Sequence, residues 1–466
     1  MPAINCLSDE IIYGTLEGVA SWIEKGAELN EIDSYGFTPL IQTAIVNRTD
    51  MAELLLKKGA KVNDPDLTGR TALHWAADNN NVPFCQLLFH YKADPNAYTI
   101  ASQPVLVTPL LREQKALKQL FYDQHADLNF AQDFINAKLL GHRYELQGYV
   151  DIVNHRGEFI ALDFAGFYLE FTLNIIEHSL KHYQNNFGSR PIRGYFQYLE
   201  KITKALNVAA ALIRYQHYLV DLAEHQVEIN SLLRADPLII PVAYEGHAIT
   251  LVKHGTLMAY CDRGEYGRRE GSVVIHRMNR PQALTAELIK SLIYKRQSRE
   301  FVQEELPNLL GFQRTKTLPI PPQVTGNCSW ANVEACIPAL LYMLQLKAPQ
   351  KNIDLSSLER TSMHVYQHWL TWERDMALLE WMDRFKLASP ARRASIITVL
   401  AALFYQNCET FLHRELQNAN KIASFLMLPD YQYIIKSYVQ AYGFKTGDPK
   451  NKAFMDLMDI CGVQLK

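Results

Sequence analysis

The sequence predicts a multi-domain α+β protein in three parts: a repeat solenoid over residues 1–134, an α+β domain with an antiparallel sheet over 135–345, and a helical region over 346–466. Three observations carry this. A five-residue pattern returns at a fixed interval before residue 130, short apolar runs broken by turn residues lie between 236 and 279, and apolar faces at helical spacing fill the chain beyond residue 330. At 466 residues the chain is too long for one small core, and about two to four domains is the ordinary expectation.

The repeat comes first. Gly26-Ala27-Glu28-Leu29-Asn30 returns as Gly59-Ala60-Lys61-Val62-Asn63, then as Lys92-Ala93-Asp94-Pro95-Asn96 and His125-Ala126-Asp127-Leu128-Asn129, so the four asparagines lie 33 residues apart. A second marker keeps the same phase: Gly36-Phe37-Thr38-Pro39-Leu40, then Gly69-Arg70-Thr71-Ala72-Leu73-His74, with a degenerate copy at Thr108-Pro109-Leu110. This is similar to the ankyrin repeat, a 33-residue helix pair whose signature is T-P-L-H-x-A. In each unit Thr is expected to cap and Pro to open the first helix, and a glycine to end the second where φ is positive. Four repeats are expected, with a protein as partner. The turn asparagines are expected to hydrogen-bond hairpin backbone. Asn63 and Asn96 are also candidate hydroxylation or partner-binding positions.

After Asn129 the period is lost, and 137–142 reads as a last capping turn. Tyr144 to Val153 and Glu158 to Leu162 read as strands around a turn at 154–157, followed by helical spacing over 164–182 and 195–225. Four short runs at 237–244, 247–252, 256–261 and 272–278, separated by tight turns, read as an antiparallel meander. Residues 283–300 return to helix, and four long helical runs between Val365 and Tyr442 form the C-terminal region.

Composition bounds the function. A formal net charge of −2 gives no global field for nucleic acid or an anionic membrane, so neither is an expected partner. The seven cysteines are odd in number, scattered and free of any CxxC pair, which argues for a reducing compartment and against a disulfide framework or structural zinc. The chain carries no Walker loop, no GxGxxG after a strand and no metal-ligand spacing, so no cofactor or metal is expected. MPAINCLSDEII lacks the basic and apolar regions of a cleavable signal peptide. The longest apolar run, Ala394 to Tyr405, is too short to span a bilayer.

One stretch asks for chemistry. In PPQVTGNCSWANVEA, Cys328 follows Gly326 and Asn327 and precedes the first turn of a helix. It is either a small hydrophobe at a helix start or a thiol nucleophile, and a nucleophile needs a base with an orienting group. His247 opens the strand Gly246-His247-Ala248-Ile249-Thr250-Leu251-Val252, and Asp262 ends the next one. Pairing of the two strands around 253–255 would set both at one sheet edge, with the aspartate accepting the imidazole Nδ1 proton. Gln323, five residues before Cys328, and the Cys328 backbone N–H would then form an oxyanion hole. Cys261, Cys336 and Trp330 read as core, His254 as a solvated turn residue, and His74 as part of the repeat pattern.

The order His247, Asp262, Gln323, Cys328, over about residues 236 to 345, resembles the permuted branch of papain-like cysteine hydrolases that includes adenoviral and ubiquitin-like-protein proteases. Ala248 stands where that branch commonly has an aromatic residue, and Ser329 where it has glycine. Ankyrin repeats joined to such a domain and a helical tail resemble the secreted ankyrin effectors of Legionella over essentially the whole chain. That resemblance implies delivery into a host cell by type IV secretion, capture of a host protein by the repeats, and a cysteine-protease-like pocket. Two functions follow: a thiol hydrolase or acyltransferase acting on peptide, isopeptide or related acyl bonds of a host target, or an interaction protein that binds a host complex without chemistry. Neither the oligomeric state nor the host compartment follows from the sequence.

Overall fold

The computed structural model describes residues 6–216, 221–324, 326–346, 354–443 and 448–464. Four helix pairs open the chain: Leu7–Tyr13 with Leu16–Glu24, Pro39–Ile45 with Thr49–Lys57, Ala72–Asp78 with Val82–His90, and Val107–Leu111 with Lys115–Asp123. Thr38 caps its helix by accepting from Ile41 N–H, and Thr71 forms a reciprocal capping box with His74. The degenerate third marker departs from this: its helix begins at Val107, so Thr108 lies inside it and caps nothing. Gly26 and Gly59 take φ of +88° and +98° at the ends of the second helices, where Lys92 and His125 hold the same left-handed turn in the later repeats.

The turn asparagines bond backbone, but that of the next repeat. Asn30 Oδ1 accepts from Lys61 N–H, Asn63 Oδ1 from Asp94 N–H and Asn96 Oδ1 from Asp127 N–H. Asn129 ends the series inside a helix, because Asp127 caps Leu128–Arg143 through the N–H groups of Asn129 and Phe130. That helix is continuous, so the capping turn expected at 137–142 is its C-terminal part, and the division placed at 134/135 falls within it.

Strands β1 (Tyr149–Val153) and β2 (Phe159–Asp163) form an antiparallel hairpin. The second sheet has the order β3 (Leu238–Tyr244), β4 (His247–His254), β5 (Leu257–Cys261), β6 (Val273–Met278) and β7 (Phe312–Leu318), antiparallel throughout. β7 and the short helix Glu265–Glu270 extend the expected meander. His254 ends β4 and bonds Asp236 rather than lying free in a turn.

Two large cores organise the molecule. One joins repeat residues such as Trp75, Phe84 and Phe121 to the C-terminal helices through Trp381, Leu400, Phe404 and Phe454. The other packs the five-stranded sheet against Leu169–Asn185, Phe196–Arg214 and the apolar helix Cys336–Leu346. The long helix Leu355–Asp383 serves both: Val365 and Trp369 enter the second core, Leu378 and Trp381 the first. Among the described residues no helix is long and apolar enough to cross a membrane.

Candidate functional site

The β3–β4 connection has two residues, Glu245 and Gly246, both with positive φ (43° and 78°), as a twist-matched tight hairpin requires. It pairs Tyr244 with His247 and delivers the imidazole at the sheet end. β5 stops at Cys261, so Asp262 leaves the ladder beside that ring. His247 Nε2–H donates to Asp262 Oδ1 at 2.9 Å. The expected nitrogen was Nδ1; here it is Nε2 that meets the carboxylate.

Asp262 is buried, and three donors hold its carboxylate: His247, Gly264 N–H at 2.8 Å to Oδ1, and Tyr244 O–H at 3.1 Å to Oδ2. Gly264 also leaves space for the ring, since a Cβ there would fall 2.8 Å from His247 Cε1 and Nε2. Cys328 is the first residue of the helix Cys328–Glu334 and is partly buried. Its thiol shares a cavity lining with His247, whose proximity favours the thiolate.

The two titrations move in opposite senses. Burial opposes the imidazolium, but the bonds to Asp262 and Cys328 outweigh it and raise His247 to about 9. Burial also opposes the thiolate, yet His247 and the Ala248 and Ser329 backbone groups bring the Cys328 pKa below the ordinary thiol value. Both shifts favour the thiolate and the imidazolium over the neutral thiol and imidazole. The two residues line a cavity of ≈ 420 Å³ with Tyr244, Gly246, Ala248 and Tyr294 among the other walls.

Gln323 is not among the residues lining that cavity. Its backbone N–H donates to the Arg263 carbonyl at 2.8 Å, next to Asp262, and its side-chain oxygen is buried without a hydrogen bond. Cys261 and Cys336 are fully buried and interact with each other, away from solvent. Trp330 is buried with its ring stacked on His142, 5.8 Å between centroids.

Sequence reading missed three supports. Tyr244 was legible only as the cross-strand partner of His247. Asn332, one helical turn after Cys328, is fully buried; its Oδ1 accepts from Arg263 N–H at 2.7 Å and its Nδ2 donates to the Ala248 carbonyl at 2.6 Å. Asn327, just before the cysteine, accepts from His142 Nδ1 at 2.5 Å, so the helix leaving the repeat array touches the start of the cysteine helix. A larger cavity of ≈ 1100 Å³ lies between the last repeat, Leu169–Asn185 and Leu355–Asp383. Several of its arginines already meet carboxylates (Arg112 with Glu170, Arg143 with Glu373, Arg392 with Asp133), which makes it a structural junction. Among the described residues no cluster of His, Cys, Asp and Glu could hold a metal ion.

A family model described as ankyrin repeats (3 copies) matches residues 7–99. A search of curated proteins returns no match. The solved structure titled "Structure of Legionella Effector AnkH" is 42% identical, covers 99% of this chain and 98% of its own, and superposes with a TM-score of 0.85. Identity at that level over both full lengths shows common descent: the chain belongs to the family of the Legionella effector AnkH.

Proposed function

We propose that this chain is a secreted effector that docks on a host protein through its ankyrin repeats and presents a Cys–His–Asp pocket for acyl chemistry on a peptide or isopeptide bond. The carrying observation is His247, which holds Asp262 through Nε2 at 2.9 Å and shares a cavity with Cys328, the two pKa values being shifted toward the ion pair. Cys328 thiolate attacks the carbonyl carbon and the C–N bond breaks. The imidazolium gives its proton to the leaving amine, and water, deprotonated by the neutral ring, releases the acid and the thiolate. Asp262 orients the ring and stabilises its charged form. Gln323 and the Cys328 N–H are the proposed oxyanion donors.

The AnkH relationship supports delivery into a host cell. The repeat array supports protein capture. The second reading, binding without cleavage, is favoured by one observation: Gln323 does not line the cavity that Cys328 and His247 share.

The test is the pH dependence of Cys328 alkylation in the full chain, with and without His247→Ala. A thiol that reacts fast near pH 6 and loses that reactivity in the variant supports acyl chemistry. A thiol silent until about pH 8.5, and indifferent to His247, supports binding alone.

A further inference from the structure

The wall of the cavity beside Cys328 carries an uneven charge. Besides His247 its charged lining residues are Lys295 and Arg296, and it has no carboxylate. Both cations are exposed, and among the described residues neither makes an ion pair. The nearby acids Glu245 and Glu265 are directed to Arg299 instead, at 3.3 and 3.8 Å.

The backbone that carries the two cations is fixed. Gln297 N–H donates to the Ala243 carbonyl at 3.0 Å, adding a one-residue bridge to the edge of β3. Gln297 Nε2 donates to the carbonyls of Lys295 and Ser291 at 2.8 and 2.6 Å. Gln216 Nε2 donates to the Ile293 carbonyl, and Tyr294 O–H to that of Leu212 at 3.1 Å. Five hydrogen bonds therefore pin residues 293–297 while the side chains of Lys295 and Arg296 stay free to meet a ligand. A surface stretch whose backbone is ordered and whose charges are unpaired is preorganised for an opposite charge.

We propose that Lys295 and Arg296 select the substrate: the cavity takes a peptide segment with an acidic side chain next to the reacting carbonyl. This rests on the reading of Cys328 as a nucleophile. The ammonium and guanidinium meet the carboxylate of the substrate, while small Gly246 and Ala248 in the same lining leave room for its backbone. Because both cations face water, the preference is moderate and weakens with salt.

The experiment compares two alkylating probes on the full chain, iodoacetate and iodoacetamide, with alkylation of Cys328 followed by peptide mass spectrometry so that Cys6 and Cys461 are read separately. The anionic probe reports the local field and the neutral probe the intrinsic thiolate, so their rate ratio cancels reactivity. The expected ratio is about fivefold higher in the wild type than in Lys295→Ala/Arg296→Ala at low salt. It falls further in Lys295→Glu/Arg296→Glu, and the difference shrinks in 0.5 M NaCl. A ratio unchanged across these variants overturns the proposal. A thiol slow toward both probes at pH 6 overturns the acyl-transfer reading instead, and the ratio is still measurable at pH 9, so the two failures are distinct. A matched pair of peptidyl vinyl sulfones with Asp or Lys beside the warhead completes the test. Faster labelling of Cys328 by the Asp probe is expected; equal labelling by both overturns the peptide assignment.

Discussion

Asn332 accepts the backbone N–H of Arg263 at 2.7 Å, and its amide donates to Ala248 on the neighbouring strand. One buried side chain on the cysteine helix thus ties down the residue after Asp262 and the residue after His247. The helix cannot drift from the strands without breaking both bonds. In Asn332→Ala two buried backbone groups lose their partner, a cost of about 1–3 kcal/mol in stability. Because the thiol and imidazole separate as well, the pH profile of Cys328 alkylation moves upward, with rates slowed near pH 6 and little changed near pH 9. A variant that melts earlier but keeps the wild-type profile would make Asn332 structural only.

His247 is raised to about 9, with bonds to Asp262 and Cys328 overcoming burial. For a group whose folded pKa lies above its unfolded value, the stabilisation is complete below about 6.5 and is lost as pH rises through the folded value. The imidazolium is therefore expected to persist through neutral pH and to be lost near 9. Asp262→Asn removes the carboxylate, so the imidazole pKa falls and the thiol pKa rises. NMR titration of the His247 ring protons checks the first, and alkylation the second. A His247 midpoint unmoved by Asp262→Asn would show that Asp262 does not hold the ring charged.

Much of this was legible in the sequence, for physical reasons that differ by element. The repeats are visible because each unit needs the same threonine cap, turn and asparagine at one period. His247, Asp262 and Cys328 could be brought near one sheet end because strand pairing and a helix start are local signals. Which imidazole nitrogen faces Asp262 was not, since ring rotation depends on the Gly264 opening and on Tyr244. β7 was missed because FQRTKTL is a largely exposed edge strand with no apolar alternation to betray it. Asn332 was missed because a buried asparagine in a helix looks like any polar residue until both of its backbone partners are known. The helix Leu128–Arg143 was broken in the reading because its fourth repeat marker continues directly into helix under the Asp127 cap.

His142 is buried against Trp330 and Asn327, and burial lowers its pKa to about 3. Between that value and the unfolded value of about 6.5, only the unfolded chain binds the proton, so stability rises with pH across this window and is lost on acidification. At pH 5 the loss is about 2 kcal/mol from this residue. His74, lowered to about 4 by burial, adds to the same slope. Urea unfolding at pH 7 and pH 5 is expected to show a smaller acid penalty in His142→Gln than in the wild type. An equal penalty would place the acid sensitivity elsewhere.

The asparagine ladder makes the repeats unequal. Asn63 Oδ1 accepts from Asp94 N–H at 2.8 Å and its Nδ2 donates to the Lys92 carbonyl at 3.2 Å, so one side chain splices two adjacent turns. Asn129, at the same repeat position, is exposed in the first turn of a helix. In a solenoid, stability is a sum of unit and neighbour terms, so a lost splice weakens one interface rather than one unit. Asn63→Ala is expected to cost about 1 kcal/mol and Asn129→Ala a few tenths. Hydrogen exchange localises the effect: the amides of Asp94 and Leu56 exchange faster in Asn63→Ala, while those of β4 and β5 do not change. Equal losses from the two variants would mean that the turn asparagines act as solvated turn formers and that the ladder adds nothing between repeats.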